Sequence, residues 1–327
     1  MPRNHTHYDE NDVNGLLQNP TFVAMLRSDA DGISLGRELD YVKTKAYEVQ
    51  YSELSGMRVV PVSREVPVWA ESYTYRMWDE VGYAKIISNY ADDLPRVDIY
   101  GKEFTARVRS LGDAYGYNLQ ELRAVAHTGI SLDTRRATVA RKAVDRKLNN
   151  IIWTGDADYG LQGLLTHPNL THAAAAVKAA GGTSWDKATG MEMYIDVATA
   201  INGVSERSQD IHKTNRVILT SRKLQKLTQT FLSLQESGTK TVMAAIKENF
   251  PDVSFVTAYE LTGKAAGGTD MLIAGDFDLD NMSHEMVEDF NQLPAQARNL
   301  EWVVNCIART GGVNVRFPLA FTIVEGI

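Results

Sequence analysis

The stretch that most constrains how this chain folds runs from Ser131 to Asn169. Ala137, Ala140, Val144, Leu148, Ile151 and Ile152 recur at spacings of three and four, which puts them on one face of a helix. Ser131 and Asp133 stand before it as cap-type residues, able to accept from the free N–H groups of a first turn. Arg135, Lys142 and Arg146 fall on the opposite face. Arg141 intrudes near the apolar stripe, with Asp145 one turn later as its partner. Gly155, Gly160, Gly163 and Pro168 then break the chain into a loop. A helix this long, apolar on one side only, needs other elements to cover its stripe. The chain on its N-terminal side reads as extended arm, and the chain on its C-terminal side as a compact domain.

Residues 1 to about 20 are polar, and His5 and His7 there read as solvated tail rather than metal ligands. Phe22, Val23, Met25 and Leu26 suggest a short helix, and Leu39, Val42, Ala46 and Val49 a second. Neither has enough apolar surface to stand as a domain. Residues 52–63 read as a turn followed by a brief strand. VPVWAESYTYRMW at 66–78 and VDIYGKEFTARVRSL at 97–111 have strand composition and predict a long hairpin with an elaborate tip between them. A two-stranded ribbon has no independent stability in water. Its aromatic residues Trp69, Tyr73, Tyr75 and Trp78 must pack either on the chain's own core or on a neighbouring subunit, with Arg96 and Arg107 as charged partners for such contacts.

NLQELRAVAH at 118–127 opens with the N-x-x-E spacing of a capping box, ahead of a short helix. Beyond residue 173 the texture becomes α/β. AAAAVKAAGGTS reads as a loop or edge, 191–204 as a helix, RVILT at 216–220 as a buried strand, and two further helices lie near 221–234 and 239–249. VSFVTAYEL, TDMLIAGDF and EMVEDF come next as strands. LEWVVNCIAR and VNVRFPLAFTIVEGI close the chain as two strands, with a hairpin turn expected at Gly311 and Gly312.

Composition narrows the function. A net charge of −7 over 327 residues argues against general electrostatic gripping of nucleic acid. The lone Cys306 allows no internal disulfide and no thiolate-rich zinc site, which fits a reducing compartment, and no apolar run approaches a membrane span. GDADYGLQGLL at 155–165 lacks the Gly-Lys-Ser/Thr ending of a phosphate loop and comes after a helix rather than a strand. Asp276, Asp278 and Asp280 have calcium-loop spacing, but Asn281 stands at the glycine position and Val287 at the bidentate-glutamate position. The histidines show no metal-ligand spacing, no serine sits in G-x-S-x-G, and Cys306 lies in an apolar run. No catalytic residue, metal site or cofactor is expected.

In order along the chain stand MRVVPVS, VGYAKIISNYADDLPRVDI, YGYNLQEL before the long helix, GLQGLLTHPN after it, and RTGGVNVRFPLAFTIVEGI at the end. This succession resembles the major capsid proteins of tailed bacteriophages, the Hong Kong-type or Johnson fold. The resemblance implies an α+β fold with an N-terminal arm (1–65), an extended hairpin loop (66–116), a peripheral domain (117–173 and 299–327) built on a long spine helix, and an α/β axial domain (174–298). It implies identical subunits joined as hexamers and pentamers in an icosahedral virion shell, assembled in the bacterial cytoplasm around weakly contacted double-stranded DNA. Separate scaffolding, portal and decoration proteins are its implied partners, with no membrane. Two alternatives are a nanocompartment shell protein of the encapsulin type and, with less support, a soluble α/β enzyme.

Overall fold

The computed structural model describes residues 52–82, 97–128, 135–232 and 240–327. The expected arm helices, the hairpin tip with Arg96, and the cap residues Ser131 and Asp133 lie outside the described residues. The strands are β1 (Val62–Ser63), β2 (Ser72–Val81), β3 (Asp98–Arg107), β4 (Arg109–Asn118), β5 (His172–Ala174), β6 (Arg216–Leu219), β7 (Ser254–Thr257), β8 (Met271–Gly275), β9 (Met282–Gln292), β10 (Gln296–Arg298), β11 (Glu301–Val315) and β12 (Phe321–Glu325). The helices are α1 (Gly56–Val59), α2 (Leu119–Thr128), α3 (Arg135–Thr154), α4 (Gly190–Arg207), α5 (Ser221–Gln229) and α6 (Val242–Asn249).

The apolar stripe of α3 is covered by a sheet ordered β1-β9-β11-β10, with β4 paired to β11. Val144 and Leu148 pack there against Met286 and Ala308, while Ile152 and Trp153 at the helix end join a second cluster with Leu164, Ile273 and Phe321. Ala140 and Ile151 are also buried, and Arg141 pairs with Asp145 at 3.9 Å across one turn. The 3.6-residue period therefore located the buried face correctly. Leu148→Ala is expected to destabilise the subunit by about 2–5 kcal/mol through lost transfer energy plus a residual cavity. An unchanged unfolding midpoint in urea would place Leu148 outside the core.

A second sheet, ordered β5-β12-β8-β6-β7, carries α4, α5 and α6. Each of these helices begins at a threonine whose hydroxyl accepts from a backbone N–H three residues on: Thr189, Thr220 and Thr241. Thr189 and Glu192 complete a reciprocal capping box. A box also starts α2, where Asn118 Oδ1 accepts from the Glu121 N–H at 2.7 Å and Glu121 accepts back from the Asn118 N–H at 3.2 Å. Glu121 further holds Arg136 of α3 through two bonds of 2.8 and 3.0 Å, and this guanidinium lowers the Glu121 carboxyl pKa.

Three expectations need correction. The turn at 52–60 includes one helical turn, α1, whose Gly56 N–H donates to Asn149 Oδ1 at 2.7 Å. The run 97–111 is not one strand, because the chain breaks at buried Val108 between β3, which pairs with β2, and β4, which pairs with β11. No hairpin turn forms at Gly311 and Gly312, since β11 runs straight through both. The register against β9 shifts between Thr310 and Gly312, and Gly312 has φ +74°. A Cβ there would sit 3.0 Å from the Gln162 carbonyl, so the glycine serves a bulge and a close backbone approach rather than a reversal. The last strand, β12, pairs with β8 and β5 in the second sheet.

The loop after α3 closes on itself where Gly155, at φ +72°, and Gly163 meet. A Cβ on Gly163 would lie 2.2 Å from the Gly155 nitrogen, so no larger residue fits. His167 in this loop and His284 in β9 are both buried, and burial pushes each pKa down to about 4. Each is neutral in the folded chain and protonates when unfolded below about pH 6.5. Stability is therefore expected to fall as pH drops from about 6.5 towards 4, by up to roughly 3 kcal/mol for each ring. A urea midpoint that stays flat across that window would contradict the burial of both rings.

Candidate intersubunit surface

The feature that stands apart from both sheets is the ribbon of β2 and β3. It pairs antiparallel from Ser72 opposite Arg107 to Val81 opposite Asp98, and among the described residues no third strand joins it. Cross-strand pairs hold it together. Tyr75 stacks on Phe104 with centroids 5.3 Å apart, the Thr74 and Thr105 hydroxyls lie 2.9 Å apart, and Arg76 Nε donates to Glu103 at 2.7 Å. The Trp78 indole covers Gly101, where a Cβ would fall 2.7 Å from the ring.

Among the described residues, only the root of the ribbon is seated on the rest of the chain. The Tyr73 ring lies against Gly311 of β11, where a Cβ would approach it to 2.7 Å. The Arg316 guanidinium sits 5.9 Å from the Tyr75 ring centre. The Val108 N–H donates to the Glu71 carbonyl at 2.8 Å, and Arg309 donates to the Ala70 carbonyl at 2.8 Å. Burial first, then the neighbouring Glu285, raises the Tyr73 hydroxyl well above the ordinary phenol range. Glu285 accepts from Ser283 Oγ at 2.6 Å and from Arg316 at 3.3 Å. Further out, Trp78, Val97, Ile99 and Tyr100 are all more than 60% exposed. Four large apolar side chains on a two-stranded ribbon make a surface that favours a partner.

The sequence-chosen residues are thus divided. Tyr73 and Tyr75 share one face of the ribbon and are half-buried against their own chain. Trp78 projects from the opposite face, and Trp69, ahead of β2, is 82% exposed. Arg107 is exposed at the ribbon root, and Arg96 lies outside the described residues. Sequence reasoning missed Val97, Ile99 and Tyr100, although their spacing opposite the 78–81 segment was a usable signal. It also missed Asn149, a buried amide inside α3 that donates to Glu260 at 2.7 Å while receiving the Gly56 N–H.

Beside the ribbon root, a cleft of about 730 Å³ opens between β4 and α3. Leu111, Val144, Ile151 and Leu161 line it, with Arg109, Lys147 and Asp156 also on its walls. Lys147 Nζ donates to Asp156 at 2.8 Å, which lowers the Asp156 pKa. Among the described residues no three His, Cys, Asp or Glu side chains are grouped to hold a metal ion. What this arrangement offers is surface for burial.

The chain superimposes on the capsid of Myoviridae Phage XM1 with a TM-score of 0.74 at 19% identity, covering 89% of this chain and 98% of that one. For Microbacterium phage Oxtober96 the TM-score is 0.59 at 13% identity, over 91% and 98% of the two chains. A virus-like particle from Pyrococcus furiosus gives 0.50 at 15% identity, over 82% and 91%. No curated protein sequence matches. The family model described as Major capsid protein matches residues 82–327, and the chain belongs to that family.

Proposed function

We propose that this major capsid protein assembles as hexamers and pentamers into an icosahedral shell enclosing double-stranded DNA, and that neighbouring copies cover the outer half of the β2–β3 ribbon. The observation that carries this reading is the ribbon itself: ten residues a side, seated among the described residues only at its root, with Trp78, Val97, Ile99 and Tyr100 exposed. Interfaces of obligate assemblies often bury more than about 2,000 Å², and exposed aromatic and aliphatic anchors of this kind are their usual centres. In this reading residues 1–65 form an arm, 66–116 the extended loop, 117–173 with 299–327 a peripheral domain whose last strand, β12, crosses into the second sheet, and 174–298 an axial domain around the capsomer axes. Trp69 and Trp78 contact neighbours directly, Arg96 and Arg107 pair with carboxylates across the contact, and Tyr73 and Tyr75 fix the angle at which the ribbon leaves its own subunit.

The protein has a structural rather than an enzymatic role. It resides in the virion after assembly in the host cytoplasm, with scaffolding, portal and decoration proteins as separate partners. The closer superposition on the capsid of Myoviridae Phage XM1 than on the virus-like particle from Pyrococcus furiosus supports the phage-shell reading over the nanocompartment alternative. Negative-stain micrographs of the expressed chain are expected to show closed shells or rings of five and six. A compact oligomer of a few copies would overturn the proposal.

The acidic balance of −7 fits a wall that lets DNA slide in and out. Dispersed subunits are expected to retain little double-stranded DNA on a filter at about 0.15 M salt. Strong, salt-sensitive retention would contradict weak contact with the genome.

A further inference from the structure

Three loops meet at one surface away from the ribbon. They are residues 208–212 after α4, 276–281 after β8, and 316–320 between β11 and β12. The His212 and Phe317 rings lie 5.5 Å apart, and His212 Nδ1 is 3.7 Å from Asp276. Arg316 donates to the Leu279 carbonyl at 2.7 Å, and the Arg316 and Phe317 N–H groups both donate to the Asn281 carbonyl. From this junction Ile211, Leu279, Phe317 and Leu319 stand 40% to 77% exposed. Four exposed large apolar side chains thus stand on three loops that contact one another.

The same loops carry Asp210, Asp278 and Asp280. Among the described residues no Lys or Arg nitrogen lies within 4 Å of any of these three carboxylates. The nearby guanidiniums are engaged elsewhere: Arg316 with the Leu279 carbonyl and Glu285, Arg207 with the Phe321 carbonyl and Thr322, and Arg216 with the Val59 carbonyl. Exposed Lys213 beside His212 offsets only part of this charge, and apolar side chains bordered by three carboxylates favour a partner whose apolar face is flanked by cations.

We infer that this surface docks a basic amphipathic segment of another protein, its apolar side chains on Ile211, Leu279, Phe317 and Leu319 and its Lys or Arg residues on Asp210, Asp278 and Asp280. The ribbon of a second copy is a poor occupant. Its apolar residues Trp78, Val97, Ile99 and Tyr100 are interleaved with Asp79, Glu80 and Asp98, which would set carboxylate against carboxylate. Docking of this kind is independent of shell formation, since it concerns the dispersed subunit.

The test uses the full chain as dispersed subunits and a fluorescein-labelled helical peptide of Leu and Lys, Leu at i, i+3, i+4 and i+7 spacing, read by anisotropy. A matched peptide with Glu for Lys is the control. The Lys peptide is expected to bind, more weakly as salt rises, and the Glu peptide not to bind. D278N/D280N is expected to weaken binding roughly threefold to tenfold. I211S/L319S is expected to weaken it about tenfold or more, with far-UV circular dichroism unchanged because both side chains are exposed. D79N/E80Q removes equal charge from the ribbon and is expected to leave affinity unchanged. Equal binding of the two peptides, or equal losses in D278N/D280N and D79N/E80Q, would overturn the proposal. So would a change in self-association of I211S/L319S without peptide, which would assign the face to a second copy.

Discussion

Replacing Asp196 by Ala is expected to cost the subunit about 3–5 kcal/mol, among the largest effects available from one side chain. Asp196 lies on the buried face of α4, and its Oδ2 receives both the Lys178 ammonium and the Trp185 indole N–H, the latter at 2.6 Å. The Lys178 and Asp196 side chains are 2% and 4% exposed. Removing the carboxylate strands an ammonium in a dry interior and leaves the indole donor without an acceptor. The glycines and alanines of the loop from Ala175 to Ser184 bring few apolar atoms, so beside this pair it is held by hydrogen bonds such as the Ala179 N–H to Glu192 at 2.6 Å and the Ala175 N–H to the Glu325 carbonyl at 2.8 Å. K178M is expected to destabilise by a similar amount, because it leaves the charge on Asp196. The double variant K178M/D196L restores an apolar pair and should recover much of the loss. Urea unfolding of the three proteins checks this. A D196A midpoint within about 1 kcal/mol of the parent would mean that water reaches the pair.

Shortening the ribbon is expected to abolish assembly while sparing the fold. Trp78 and Gly101 are directly opposed across β2 and β3, so a Gly-Gly link in place of residues 79–100 makes a two-residue hairpin of favoured geometry. The excision removes Val97, Ile99 and Tyr100, none of which belongs to a buried cluster. Stability of the dispersed subunit should change by less than about 1 kcal/mol, as for other surface changes. Shells of normal size and yield from the shortened chain would show that the ribbon is not what joins the copies.

How much of this fold was legible in the sequence depends on the range of the forces involved. Local pattern carried far: the α3 stripe, the strand composition of β2 and β3, and the Asn118–Glu121 box all depend on residues within a few positions of one another. Features set by distant partners were hidden. Gly311 and Gly312 look like a turn until the Gln162 carbonyl and the Tyr73 ring are seen pressed against them. Val108 gives no sign that the chain leaves one sheet for another there. Lys178 sits in a run read as a loop or edge, and only the fold brings Asp196 and Trp185 to it. For the candidate surface, aromatic content pointed to the right ribbon but not to which side of it is free. Tyr73 turns inward and Trp78 outward because opposite faces alternate along a strand, and the packing of β11 decides which face is covered.

The central claim is that identical copies cover the outer half of the ribbon. Hydroxyl-radical footprinting read by mass spectrometry at Trp78 and Tyr100 tests it most directly, comparing dispersed subunits with assembled particles of the same preparation. Both side chains are expected to label heavily in the subunit, where they are 65% and 61% exposed, and to be strongly protected in the particle. Equal labelling in the two states would contradict the account.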